Sequence, residues 1–251
     1  MECKNCGETF KGNFCPNCGQ RATVEKLNAK NFIKEVSGSV FQINKGLLFT
    51  MREMFLRPGQ SIFNYLEGKR KPFFKPIAYA FTLSTIYFLI SRLFGGETFI
   101  NAFATGWSNG ATDEGIDGKG VEMLDWFVAN YGYTVLLLLP IFSLASHLAF
   151  RKFRRNYLEH VVLNAYVTGH QALISVVFAI LSGIIGKSDL LEIIGLTVSI
   201  GYATWVFWQF FTAASRIGIL VRTFFTYMLY LVLATFFTGL VFAIGTLSSI
   251  L

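Results

Sequence analysis

Five apolar stretches, at approximately 76–94, 131–150, 161–185, 190–214 and 223–250, constrain this chain more than any other feature. Each is long enough to cross a bilayer, which takes roughly 17–25 helical residues. In hydrocarbon every backbone N–H and C=O must find a partner within the segment, and a helix provides one for each. The expected fold is therefore an all-α integral membrane protein with about five transmembrane helices. Composition points the same way: charged residues are 15% of the chain, against about 25% in soluble domains. Twenty-seven Phe, ten Tyr and four Trp could not be kept in water by so little charge. Soluble, disordered, collagenous and secreted disulfide-rich classes are excluded by the same numbers.

The charge divides the chain. Residues 1–75 hold thirteen Lys and Arg against six Asp and Glu, so the whole net charge of +7 lies there. The remaining residues are neutral overall. A basic segment leading straight into an apolar one fits the positive-inside rule and anionic headgroups better than nucleic acid. The connections alternate accordingly. The 95–130 segment is acidic (Glu97, Asp113, Glu114, Asp117, Glu122 and Asp125 against Lys119), and Arg151-Lys152-Phe153-Arg154-Arg155 is basic. Residues 186–189 read as a tight outer turn, with Arg216 and Arg222 marking a last inner loop. Five spans then place the N-terminus in the cytosol and the C-terminus outside. The first twenty residues contain no apolar signal-peptide core, so the N-terminus is expected to stay in the cytosol.

Cys3-Lys4-Asn5-Cys6-Gly7 and Cys15-Pro16-Asn17-Cys18-Gly19 are two C-x-x-C-G knuckles separated by eight residues. Two thiolates three positions apart across a turn grip one side of a tetrahedral ion, and the second knuckle supplies the other two. All four cysteines lie in this segment, and a reducing compartment favours metal over disulfides. Glycine after each second cysteine permits positive φ, so that amide N–H groups point at sulfur. Residues 1–20 therefore read as a zinc ribbon with Cys3, Cys6, Cys15 and Cys18 as ligands. Four protein thiolates leave no position for substrate, so the zinc is expected to be structural.

Residues 21–75 form a basic region with apolar residues at helical spacing. Phe32, Ile33, Val36, Val40 and Phe41 make one such set. Leu47, Leu48, Met51, Met54 and Phe55 make another, with Lys45, Arg52 and Glu53 on other faces. These suggest amphipathic helices lying in the membrane interface. Arg57-Pro58-Gly59 breaks the pattern, and a short helix is expected from Ser61 to Glu67 before the basic cluster Gly68–Pro72. The ribbon, the FLRPGQSIFNYLEGKRKPFFKP stretch and YLEHVVLNAY at 157–166 resemble a family of uncharacterised bacterial membrane proteins, domain of unknown function 3667. The resemblance implies an inner-membrane protein and carries no activity.

Within the spans, polar residues concentrate in the third. His160, Asn164, Thr168 and Gln171 recur at three or four residues and share one helix face, which continues as Ser175, Ala179 and Gly183. Gly195, Ser199 and Ala203 form a matching series on the fourth span, so close packing of these two helices is expected. His170 lies roughly 15 Å along the axis from His160 and points away from that stripe. An ionisable group at such depth is a functional candidate, although a neutral imidazole bonded to a neighbouring helix explains it equally. His147 reads as an anchoring or hydrogen-bonding group near the inner interface. No H-x-x-x-H pair joins the histidines into a metal motif.

Phosphate-binding loops and H-E-x-x-H are missing. The Asp113–Gly118 run fails as a calcium loop, with Leu124 where glutamate is needed. No catalytic residues can be assembled. The sequence favours a non-enzymatic membrane-anchored binding or adaptor module, contacting headgroups or a cytosolic partner through the ribbon. The alternative is a small-solute or lipid transporter using the third and fourth spans.

Overall fold

The computed structural model describes residues 1–23, 46–94, 104–106, 119–186 and 188–250. The set Phe32 to Phe41, Lys45 and the Asp113–Gly118 run lie outside the described residues. The fold is helical: α1 Gly46–Leu56, α2 Pro58–Leu66, α3 Pro76–Leu93, α4 Lys119–Ala129, α5 Tyr131–Ala149, α6 Tyr157–Ile185, α7 Asp189–Phe210 and α8 Arg216–Ile250. Five of these, α3 and α5 to α8, are long and apolar enough to cross a membrane. Extended pairing among the described residues is limited to two isolated bridges in the N-terminal module, Glu2 to Thr9 and Phe14 to Arg21.

Local chemistry sets the helix ends. α6 starts at Tyr157, four residues before the expected 161, because Asn156 and Glu159 form a capping box. The Asn156 side chain accepts from the Glu159 amide at 2.8 Å, and the Glu159 carboxylate accepts from the Asn156 amide at 3.0 Å. Two otherwise orphaned donors are thereby satisfied. α2 starts at Pro58, three residues ahead of expectation. Proline at the first helical position loses only an N–H that has no intrahelical acceptor there.

The last connection needs a correction. α8 begins at Arg216, so Arg216 and Arg222 lie on the helix itself rather than in a loop. Arg222 donates from Nη1 to the Ala149 carbonyl at 2.9 Å, at the end of α5, and sits 5.6 Å over the Phe153 ring. A cation at a helix C-terminus satisfies an orphaned carbonyl and opposes the helix dipole.

α1 and α2 pack into the bundle. Met54, Ile62 and Tyr65 are fully or almost fully buried in the main core, and Tyr202 on α7 donates its hydroxyl to the Met54 carbonyl at 3.0 Å. The expected apolar face of α1 is only partly correct. Leu47 and Met54 face inward, but Leu48 and Phe55 are exposed, and Glu53 is buried. Arg57 forks onto the Glu53 carboxylate at 2.7 and 3.2 Å, and the Ser61 hydroxyl donates to it at 3.1 Å. These contacts, Arg57 first, hold the Glu53 carboxyl below its ordinary range. Their stabilisation is therefore present at neutral pH and is lost as pH falls through that lowered value.

The closest approach of α6 is to α3 rather than to α7. A Cβ on Gly169 would meet the Tyr79 ring at 2.5 Å and the Ala80 Cα at 3.1 Å, and one on Gly183 would collide with Phe94. The α6–α7 contact is real but looser, with Gly195 seated against the Phe178 ring. Small residues act here as expected in a membrane, where close backbone approach replaces hydrophobic burial. Their main partner is the first span. Aromatic rings fill the rest: Tyr166 packs against both Tyr65 and Tyr79, and Phe150 stacks on Phe211 at 4.4 Å.

Candidate metal centre and polar interior

The two knuckles fold alike. Gly7 donates to the Cys3 carbonyl and Gly19 to the Cys15 carbonyl, both at 2.8 Å. The two glycines have φ of +78° and +69°, a region that an L side chain rarely adopts. Cys6 lies 3.5 Å from Cys15 and Cys3 lies 3.6 Å from Cys18, sulfur to sulfur. All four sulfurs fall within 4.8 Å of one another. Four thiolates on a tetrahedral ion at Zn–S 2.3 Å would stand about 3.8 Å apart, so the donor set fits one metal ion.

Backbone amides point at the sulfurs as the glycines imply. The Gln20 N–H, helped by the Asn5 side chain and the neighbouring thiols, draws the Cys18 thiol down to about 6. The Glu8 N–H pulls Cys6 the same way, but desolvation and the other thiols outweigh it and push Cys6 up to about 12. Four thiols crowded together cannot all ionise unless a cation replaces their protons.

Gln20 fastens the module to the membrane domain, and nothing in its spacing announced that. Its side chain is buried. Nε2 donates to the Gly68 carbonyl at 2.9 Å, and Oε1 accepts from the Arg70 and Lys71 amides, both at 3.2 Å. The Gln20 carbonyl meanwhile accepts from the Cys15 amide at 2.8 Å. One residue thus joins the second knuckle to the basic loop before α3. That loop, the Arg151–Arg155 connection and α2 lie at one end of the bundle, where Arg155 covers the Phe63 and Phe210 rings.

The polar stripe of α6 divides. His160 and Asn164 turn to α5, where both meet the Ser146 hydroxyl, at 2.9 and 2.6 Å. Further along, Gln171 donates to the Ser199 carbonyl at 3.0 Å and to the Tyr227 hydroxyl at 2.8 Å, tying α6 to α7 and α8. Thr168 and Gln171 line a cavity of about 190 Å³ with Tyr131, Phe142, Tyr227 and Tyr230. Its other walls are mainly aliphatic, and it sits between α5, α6 and α8 with a wall from α4. The fourth span, expected to share a pocket with the third, contributes none of the lining.

His170 faces elsewhere, as its position predicts. Its Nδ1 lies 3.0 Å from the Tyr79 hydroxyl, and its ring stacks on Tyr202 at 4.7 Å. It is buried and held by α3 and α7. His147 lies with its ring 5.2 Å from that of His160, a proximity that single-helix spacing could not reveal.

Residues 44–88, from just before α1 into α3, match a family described as Protein of unknown function (DUF3667). No curated protein and no solved structure matches the chain.

Proposed function

We propose that this chain is a membrane-anchored binding or adaptor module whose ribbon holds one structural zinc and presents a fixed face beside the bundle's basic end. The observation that carries this reading is the buried Gln20 clamp on Gly68, Arg70 and Lys71. A module on a free tether would explore space; this one is held in register with a basic loop. The donor set supports a structural zinc, since four thiolates close a tetrahedron and leave no reactive position. Beside it stand the exposed Phe14, with Arg21 5.8 Å over its ring, and the cations of the Arg151–Arg155 connection. A cytosolic protein with an acidic rim, or anionic headgroups, would suit this face.

The cavity between α5, α6 and α8 favours a second reading, a carrier of lipid or a small apolar solute. Mass spectrometry of the detergent-extracted protein separates the two. On the first reading a protein partner copurifies with the wild type and is lost from Gln20→Ala, while the bound zinc stays in both. A lipid or apolar solute that stays bound to Gln20→Ala, with no protein partner in either sample, would move the conclusion to the second.

The charge distribution supports an orientation with the ribbon in the cytosol and residue 251 outside, and the resemblance to bacterial membrane proteins supports the inner membrane as its location. Reporter tags at residues 1 and 251 should therefore signal from opposite sides. Both signalling from the cytosol would make the span count even and overturn that orientation.

A further inference from the structure

The cavity between α5, α6 and α8 has a polar end whose hydrogen bonds are incomplete. Gln171 Nε2 meets the Ser199 carbonyl at 3.0 Å. A carbonyl only accepts, so the amide is oriented with its nitrogen on that side. The second amide proton goes to the Tyr227 hydroxyl at 2.8 Å. Tyr227 therefore accepts through its oxygen and keeps its own proton to donate, while Gln171 Oε1 keeps its lone pairs to accept. Among the described residues neither of these has a partner, and the Tyr131, Thr168 and Tyr230 hydroxyls of the same wall have none either. Phe142 packs against this end, its ring 5.5 Å from that of Tyr227 and 5.1 Å from that of Tyr230.

Depth and shape decide what kind of molecule fits. Gln171 is the middle residue of α6, Tyr157–Ile185, so about 21 Å of helix separates it from either end. Tyr227 stands near the middle of its own span, Arg216–Val241. From there the lining continues along α8 through Leu231, Ala234 and Phe237 to Thr238, an advance of about 16 Å. The Thr134 and Thr238 hydroxyls in this wall are already bonded to the Phe127 and Ala234 carbonyls. Among the described residues no charged side chain lines the cavity. It is an apolar path with an unsatisfied donor and acceptor side by side at mid-bilayer depth.

The geometry points to a binding site for an uncharged alcohol on a long apolar chain, with its hydroxyl at Gln171 and Tyr227 and its chain along α8. A ligand hydroxyl accepts the Tyr227 proton and donates its own to Gln171 Oε1, which completes both groups. An ester or ketone oxygen accepts from Tyr227 and leaves Gln171 Oε1 as it was. A charged headgroup would lose its hydration at this depth with no counter-charge in the wall. Water suits the polar end alone, since apolar cavities stay dry. The assignment rests on the second reading for its cavity and names the class of molecule that the cavity takes.

Photolabelling of the full-length protein in phosphatidylcholine nanodiscs tests this, with 1-dodecanol carrying a diazirine at its far end as the probe. Peptide mapping should find the label on the cavity side of α8, at Leu231 to Thr238, and not on the exposed Val232 and Phe236. Unlabelled 1-dodecanol should compete, methyl laurate should compete about tenfold less well because it cannot donate, and phosphatidylglycerol should not compete. Tyr227→Phe should weaken labelling by about tenfold, the effect of one lost hydrogen bond to a buried group. Ala234→Phe, which puts a ring in the path of the chain, should abolish it. If Tyr227→Phe does not fold, methyl laurate against 1-dodecanol on the wild type still decides the role of the hydroxyl. Equal competition by those two, or labelling unchanged by Tyr227→Phe, would overturn the alcohol and leave the carrier reading standing. So would phosphatidylglycerol competing as well as 1-dodecanol. Label confined to Val232 and Phe236 would overturn both.

Discussion

Replacing Cys15 with serine should leave the purified protein without ribbon metal and residues 1–23 unfolded, while the five spans insert as before. Cys15 is the most buried of the four cysteines at 2% exposed, and among the described residues the core around it is Cys3 and Phe10, with Cys18 and Ala22 at its margin. So small a cluster cannot offset the conformational entropy of ordering some twenty residues at about 1–2 kcal/mol each. Metal binding must make up most of the difference, and structural zinc contributes about 10–16 kcal/mol in comparable modules. Three thiolates and a serine hydroxyl would not hold the ion as tightly. The loss should spread through the Cys15 amide, which donates to the Gln20 carbonyl, and release the clamp on the basic loop. Elemental analysis and hydrogen exchange over residues 1–23 check this directly. Zinc retained at one equivalent, or an exchange pattern like that of the wild type, would refute it. Iron in place of zinc would refute the metal assignment.

Much of this could be read from the sequence, for identifiable physical reasons. The spans were legible because a helix in hydrocarbon must be apolar over its full length, a constraint written in consecutive residues. The cysteine cluster was legible because knuckle spacing and the glycines after each pair fix the local turns that bring the four sulfurs within 4.8 Å of one another. Arg216 and Arg222 misled because a charge near a span was taken as a loop marker, whereas Arg222 spends its charge on the end of α5. Glu53 misled similarly. A carboxylate on an amphipathic helix is usually solvated, but Arg57 one turn later and Ser61 on the next helix supply three bonds that permit its burial.

The intramembrane candidates show where periodicity stops informing. His160, Asn164, Thr168 and Gln171 do share a face of α6, yet that face meets α5 at one level and a cavity beside α8 at another. A repeat of 3.6 residues places side chains on one helix and carries no information about which neighbour stands opposite. Tyr227 and Tyr230 on α8 were missed for this reason, their apolar surroundings giving no polar pattern to notice. His147 and Ser146 were separated from His160 by a turn that only the fold closes. Gln20 gave no spacing signal at all, because its partners are backbone atoms some fifty residues away.

His170→Ala should destabilise the folded membrane domain by about 3–5 kcal/mol, the range for removing a large buried ring, at unchanged synthesis. His170 joins three elements: its Nδ1 meets the Tyr79 hydroxyl of α3 and its ring stacks on Tyr202 of α7. Tyr202 in turn donates to the Met54 carbonyl of α1. Removing the imidazole leaves a cavity and strands the Tyr79 hydroxyl, which alone costs about 1–3 kcal/mol. Gly169 already brings the α6 backbone against the Tyr79 ring, so that ring has little room to turn toward another acceptor. Tyr79→Phe removes only the hydroxyl and should cost less than His170→Ala. The double variant should cost less than the sum, because the stranded hydroxyl is then gone. Reversible unfolding in mixed micelles measures all three. If His170→Ala unfolds at the wild-type denaturant concentration, the imidazole is not a structural junction. Its burial among Tyr79, Tyr202 and Phe55 would then have to be explained by a function that uses it.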